Sequence, residues 1–141
     1  GTVDLTIRRV GKVTDEIFNN YVGDKLFLRG PYGNGFELEN YKGKELMVVA
    51  GGTGLSPVKG IVDYFSNNSS EAKAFTLIAG FKSPNDVLFK DDIKMWKDNI
   101  NLILTVDNAE EGYEGNVGMV TPTKIINGTQ KIFKNAVRTH P

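Results

Sequence analysis

The sequence contains no cysteine and a single histidine, His140, among its 141 residues. Without cysteine the chain forms no disulfide, holds no thiolate-bound zinc or iron–sulfur cluster, and has no thiol nucleophile. One histidine beside the final residue rules out a multi-histidine metal site and leaves a serine triad without its base. An excess of one charge is lacking too: Lys+Arg and Asp+Glu are both 17, for a formal net charge of +0. No basic surplus drives nucleic-acid binding, and no acidic surplus marks a disordered tail. No apolar run approaches the roughly 18–20 residues that cross a bilayer, and no charged-then-apolar leader opens the chain. The expectation is a cytoplasmic protein that binds neither membrane nor nucleic acid. With 40% apolar and 24% charged residues, the composition is that of one ordinary globular domain.

Val3, Leu5 and Ile7 alternate with polar neighbours, which predicts a half-buried strand over residues 3–10. The chain enters that pattern with no lead-in, as expected of a cut chain. After Gly11 and Lys12 the period changes. Val13, Ile17 and Phe18 fall at helical spacing, and Thr14, Asp15 and Glu16 suit a first turn. Lys25-Leu26-Phe27-Leu28-Arg29 reads as a further strand. Gly30-Pro31-Tyr32-Gly33-Asn34-Gly35 must be irregular and sets a boundary.

From Glu45 the texture is α/β. Leu46-Met47-Val48-Val49-Ala50 is a continuous apolar run, as in a strand buried on both faces. Ser56 as N-cap and Pro57 at the first helical position would then open a helix. Val58, Ile61, Val62 and Phe65 give it an apolar stripe. Strands follow over residues 75–79 and 101–106, with a short helix over 91–97 carrying Ile93 and Trp96. Trp96 and Phe65 are core candidates. A short helix is expected over 122–126. Beyond Glu114 there is no acidic residue, but Lys124, Lys131, Lys134 and Arg138 occur, and Ile132, Phe133, Ala136 and Val137 form one face of a possible terminal helix. Alternating strands and helices predict a parallel, doubly wound sheet. Its ligand edge lies outside the carboxyl ends of the strands, at residues 51–54, 80–83 and 105–108.

Gly51-Gly52-Thr53-Gly54-Leu55-Ser56-Pro57 is the strongest local signal. Glycines let main chain approach a ligand closely, and the helix start favours a pyrophosphate. No Gly-Lys-Ser/Thr closes the loop, so it is not a P-loop, and Pro57 stands where a dinucleotide fingerprint has its last glycine. Gly11, Lys12, Val13 and Thr14 repeat the design on a smaller scale. Asp107 at a strand end reads either as an acid–base group or as a turn residue. Lys82 is either a phosphate contact or a surface lysine. Ser56 lacks a nucleophile elbow, which argues against a hydrolase. A flavodoxin-like carrier fits poorly with the neutral charge and the strand-like first 30 residues.

Taken in order, Gly11-Lys12-Val13-Thr14, Arg29-Gly30-Pro31-Tyr32-Gly33, Gly51-Gly52-Thr53-Gly54-Leu55-Ser56-Pro57, Gly80-Phe81-Lys82-Ser83 with Asp86 and Phe89, and Thr105-Val106-Asp107 with Gly115 and Gly118 resemble the ferredoxin–NADP reductase-like superfamily. The resemblance covers about residues 3–121. The Gly-Pro-Tyr-Gly-Asn-Gly-Phe and Thr-Val-Asp-Asn stretches are most similar to one branch. That branch holds the electron-transfer flavoprotein of anaerobic sulfite reductase and that of dihydroorotate dehydrogenase, with the sulfite reductase member favoured.

That resemblance implies an antiparallel flavin-binding β-barrel, of which residues 1–36 are the last strands. A NAD(P)-binding α/β domain over 44–126 and a basic tail over 127–141 follow. It implies FAD pyrophosphate at Gly11, Lys12, Val13 and Thr14. The NAD(P)H pyrophosphate and nicotinamide ribose would lie along Gly51, Gly52, Thr53, Gly54, Leu55 and Pro57, the adenosine side at Gly80, Lys82 and Ser83, and the far wall at Asp107. No catalytic side chain and no metal ligand is assigned. Electrons would pass from nicotinamide through FAD to a [2Fe-2S] segment or partner, and then to a sirohaem protein. The family's Arg-x-Tyr-Ser/Thr flavin strand, its Gly-Pro-Pro element and its cluster cysteines are missing, which implies a middle fragment. A nucleotide-binding module without redox activity of its own is the alternative.

Overall fold

The computed structural model describes residues 3–109 and 111–118. The chain divides into two compact units, Gly1–Gly35 and Phe36–Pro141.

Among its described residues the first unit has one helix, α1 (Lys12–Asn20). Its start is organised by Thr14, whose hydroxyl accepts from the N–H groups of Val10 (2.8 Å) and Gly11 (3.1 Å) and donates to the Gly11 carbonyl at 3.0 Å. Asp15 adds negative charge to the first turn, where the helix dipole favours it, and the Arg9 guanidinium pairs with it. The strands expected over residues 3–10 and 25–29 do not form: neither stretch makes a ladder among the described residues. Val3 and Leu5 are exposed; a strand needs a neighbour to receive its N–H and C=O groups, and the described part of this unit offers none.

Among the described residues the second unit has four parallel strands, β1 (Glu45–Gly51), β2 (Ala74–Phe81), β3 (Asn101–Val106) and β4 (Asn116–Val117). They lie side by side in chain order. Helices α2 (Leu55–Asn67) and α3 (Lys90–Asn99) make the two long crossovers. Because both steps move the same way along the sheet, right-handed crossovers put both helices on one face. Among the described residues the strand order therefore never reverses.

The expected apolar stripe of α2 is the centre of the core. Val58, Ile61, Val62 and Phe65 are all buried, together with Leu46, Ala50, Phe75, Leu77, Ala79, Phe81 and Val106 from the strands. Phe65 stacks on Phe75 with ring centroids 5.5 Å apart. Side chains of this size each contribute about 1.5–3 kcal/mol when fully buried. Ile93 and Trp96 dock α3 onto the same cluster, as expected for both.

Helix α2 starts earlier than expected. The 3-10 turn Gly52–Gly54 brings Gly54 into helical backbone (φ −64°, ψ −13°), and Leu55 is already helical. Ser56 is thus not the N-cap, and Pro57 sits third in the helix. Its missing N–H still falls in the first turn, where no intrahelical partner is lost.

Two polar clusters brace the unit. Lys59 on α2 bridges Asp63 (2.8 Å) and Asp92 (3.0 Å), over the rings of Phe89 and Trp96. Burial opposes its charge, but the hydrogen bonds to Asp63 and Asp92 outweigh that and hold the ammonium above its usual range. Lys42 joins Glu39 (2.6 Å) to Glu71 (3.1 Å), and the Tyr64 hydroxyl donates to Glu71 at 2.7 Å. This second cluster ties the approach to β1 to the end of α2. The helices expected over 122–126 and in the tail 127–141 lie outside the described residues.

Candidate functional site

Parallel pairing brings the strand ends into line. Gly51 pairs with Gly80, Gly80 with Thr105, and Thr105 with Asn116. One row of four residues thus crosses the sheet at its carboxyl edge, where ligands of such sheets bind. The three loops expected to form a rim all leave from this row.

The first loop is the turn from β1 into α2. Gly52 takes a left-handed conformation (φ +52°), which L side chains rarely adopt. A Cβ placed on Gly51, Gly52 or Gly54 would meet nothing within 4 Å. The main chain is therefore bare to open space on the side where the helix starts. Thr53 is exposed, and Pro57 is exposed one turn on. Leu55 behaves differently: its side chain is 0% exposed in the core, and its N–H is bonded to the Gly52 and Thr53 carbonyls. It anchors the turn from below.

The second loop follows β2. Gly80 is buried and Lys82 exposed. The Ser83 hydroxyl donates to Asp86 Oδ2 at 2.6 Å, closing the short turn Pro84–Asp86. The third loop follows β3. The N–H of Asp107 donates to the Phe81 carbonyl at 2.9 Å and that of Asn108 to the Lys82 carbonyl at 3.0 Å, so the second and third loops are stitched together beyond the strands. The Asp107 side chain is exposed at that seam. Thr105 is 8% exposed, and its hydroxyl donates to the Gly118 carbonyl at 2.6 Å. Beside it, the Asn116 side-chain amide donates to the Leu104 carbonyl at 2.9 Å. Sequence reasoning named Thr105 and Gly118 but not Asn116, whose position in the segment facing β3 was the sole signal.

In the first unit, Gly11, Lys12, Val13 and Thr14 lie together at the start of α1. The Thr14 hydroxyl is engaged in its own turn, while Lys12 is exposed. Lys12 and Val13 also border a cleft of about 630 Å³ with Glu16, Ile17, Tyr21 and Phe27.

Chemically, the second unit's rim offers bare main chain, a helix N-terminus and few charged groups. That suits a pyrophosphate held by backbone donors, and a glycine cradle that any Cβ would fill fits the phosphates of a nicotinamide nucleotide. Among the described residues no helix is long and apolar enough to cross a membrane.

Residues 48–135 match the family described as oxidoreductase NAD-binding domain. The chain is similar to the sulfhydrogenase 2 gamma subunit of Pyrococcus furiosus, with 40% identity over 64% of this chain and 31% of that protein. It is also similar to the probable dihydroorotate dehydrogenase B (NAD(+)) electron transfer subunit of the same organism, at 32% identity over 79% of this chain and 41% of that one. Its fold matches a solved structure, the ferredoxin reductase in carbazole 1,9a-dioxygenase, with a TM-score of 0.61 and 26% identity over 79% of this chain and 34% of that chain. The chain thus spans less than half the length of each of these relatives.

Proposed function

The chain belongs to the oxidoreductase NAD-binding domain family, and we propose that it forms the nicotinamide-nucleotide site of a flavoprotein electron-transfer subunit. The observation that carries this reading is the bare glycine turn at the end of β1, in line with Gly80 and Thr105. Gly51, Gly52, Thr53 and Gly54 present main chain to the pyrophosphate, and Pro57 borders the nicotinamide ribose. Gly80, Lys82 and Ser83 border the adenosine end, and Asp107 forms the far wall. Gly11, Lys12, Val13 and Thr14 are the FAD contacts in this reading. When bound, NAD(P)H supplies a hydride, and FAD converts that electron pair into single electrons. The chain's own residues bind and align; none is asked to transfer a proton.

With no cysteine in the sequence, a thiolate-held cluster must belong to another segment or subunit. The names of the two Pyrococcus furiosus relatives, a gamma subunit and an electron transfer subunit, support a partner subunit. Residues 30–36 and 105–108 resemble the branch that holds both flavoproteins, and the finer reading is sulfite as final acceptor through iron–sulfur and sirohaem proteins. The relative named as a dihydroorotate dehydrogenase electron transfer subunit supports that alternative equally.

The test of the nucleotide site is calorimetric. NADH and NADPH are titrated into the chain and into a Thr53→Val, Gly54→Val double variant. Binding to the parent and its loss in a variant with unchanged circular dichroism is the expected result. Equal affinity in both overturns the assignment. The acceptor is then read from NADH oxidation by the full flavoprotein with its partners, with sulfite and dihydroorotate compared as coupled substrates.

A further inference from the structure

Several asparagine side chains in this chain are held by hydrogen bonds. Those of Asn67 and Asn68 donate to the Asp63 and Tyr64 carbonyls at the end of α2, each at 2.9 Å. That of Asn40 donates to Glu37 Oε2 at 2.7 Å, and that of Asn116 to the Leu104 carbonyl at 2.9 Å. Asn34 is different. It is exposed, and its side chain makes no hydrogen bond to another described residue. Gly35 follows it, also exposed, and the Gly35 N–H has no acceptor among the described residues. A Cβ placed on Gly35 would meet nothing within 4 Å, so that side of the main chain is open. An unbonded amide side chain therefore stands next to an unbonded, unshielded main-chain nitrogen. Asn108 also has an unbonded side chain, but Ala109 follows it and brings a Cβ beside the nitrogen.

We propose that Asn34-Gly35 is a site of spontaneous covalent modification, in which Asn34 becomes aspartate or isoaspartate through a cyclic imide. Hydroxide removes the Gly35 N–H proton, and the nitrogen attacks Asn34 Cγ. The new C–N bond forms as the Cγ–Nδ2 bond breaks, and the leaving nitrogen takes protons from water and departs as ammonia. A water molecule then adds to one of the two imide carbonyls, and the ring C–N bond on that side opens. No atom is oxidised or reduced. Opening at Cγ restores the ordinary peptide link with an aspartate side chain. Opening at the main-chain carbonyl leaves Gly35 joined through the former side chain, with one more carbon in the main chain. Glycine favours the ring because it has no Cβ to restrict the approach. Either product adds one negative charge to a chain whose formal net charge is +0. Gly35 is the last residue of the first unit and Phe36 the first of the second, so isoaspartate lengthens the covalent link just before that boundary.

The full chain is incubated in mildly alkaline buffer and sampled over time by peptide mapping. Trypsin places Asn34 and Asn40 in the peptide 30–42 and Asn127, which also precedes a glycine, in the peptide 125–131. Fragment masses then assign each lost amide to its residue, and chromatography separates aspartate from isoaspartate. Asn34 should convert at least about tenfold faster than Asn40 and Asn108, and faster still as the pH is raised. Gly35→Ala, which has room for its Cβ, should slow the loss at least about tenfold with circular dichroism unchanged. A synthetic peptide of residues 30–42 serves as the unfolded reference. Three results overturn the proposal: an intact Asn34 over a period in which the free peptide converts, loss at Asn34 no faster than at Asn40, and a parent rate in Gly35→Ala. Loss confined to Asn127 is the first of these and would place the reactive dipeptide there instead.

Discussion

The Trp96 indole N–H donates to Asp63 Oδ1 at 2.9 Å, joining α3 to α2 across 33 positions of sequence. Asp63 also takes Lys59, which in turn reaches Asp92, so one carboxylate serves both helices. Trp96→Phe removes the N–H and leaves an apolar void beside a carboxylate. The expected cost is about 2–4 kcal/mol, from lost packing and a lost hydrogen bond to a charged group. Urea unfolding followed by circular dichroism checks it. A loss below about 0.5 kcal/mol would mean the bond is not held in solution.

The Glu71 cluster sets a pH window. The Tyr64 hydroxyl and then Lys42 hold the Glu71 carboxyl below the usual carboxylate range, and Glu71 holds the Tyr64 hydroxyl above its own. A lowered carboxyl stabilises the fold above the unfolded value of about 4.3, and that contribution is lost as pH falls through the folded value. A raised phenol is fully stabilising below about 10 and loses its effect as pH rises through the folded value. The midpoint of thermal unfolding should be flat between those limits and fall on both sides. Tyr64→Phe should weaken both slopes, and Glu71→Gln the acid one in particular. Unchanged slopes in Tyr64→Phe would show that the hydroxyl does not couple the two.

The apolar elements were legible because their pattern is local. The run from Leu46 to Ala50 and the stripe through Val58, Ile61, Val62 and Phe65 each declare their partner surface within a dozen residues. The alignment of the proposed site's loops followed from the same logic, since parallel strands bring Gly51, Gly80 and Thr105 to one edge. What sequence could not supply was anything decided by distant neighbours. Lys59 reads as a surface lysine until α3 brings Asp92 beside it, and Lys42 until Glu71 returns 29 positions later. The start of α2 was misplaced because Ser56-Pro57 is a good local cap, whereas the turn Gly52–Gly54 had already set the helical backbone. At residues 3–10 the alternation predicted a half-buried strand, yet Val3 and Leu5 are exposed, because alternation alone supplies no pairing partner.

Two glycines near one another should respond to the same substitution with opposite signs. Gly60→Ala lies inside α2, where a Cβ meets nothing within 4 Å. It should raise stability by about 0.5–1 kcal/mol through the unfolded chain. Gly52→Ala has equal room, but its φ of +52° is strained for alanine, at a cost of about 1–2 kcal/mol. It should also lower nucleotide affinity at least about tenfold, or 1.4 kcal/mol. Chemical unfolding and calorimetry separate the effects. Full affinity in Gly52→Ala would remove the turn from the site.

Gly115 is constrained by a ring instead of by its dihedrals. A Cβ there would overlap the Tyr113 ring, coming within 2.7 Å of Cε1, and Tyr113 packs against the core. Gly115→Ala should displace that ring and destabilise the fold by about 1–3 kcal/mol. Combined with Tyr113→Leu, the alanine should cost much less than it does alone. Strict additivity in the double-mutant cycle would show that the two do not compete for space.

The carboxyl edge of the sheet is written mostly in dihedral angles and hydrogen, with few functional groups. In the proposed nucleotide site, the surface offered at Gly51, Gly52 and Gly80 is the peptide itself, which every residue type carries. Damage to such a surface comes by addition. Almost any substitution there adds bulk, so a mutational scan should find these positions the least permissive of the rim. Lys82 and Asp107 carry distinctive chemistry on exposed side chains, yet they should accept many replacements. The rim's tolerance to change would then run opposite to the chemical variety of its side chains.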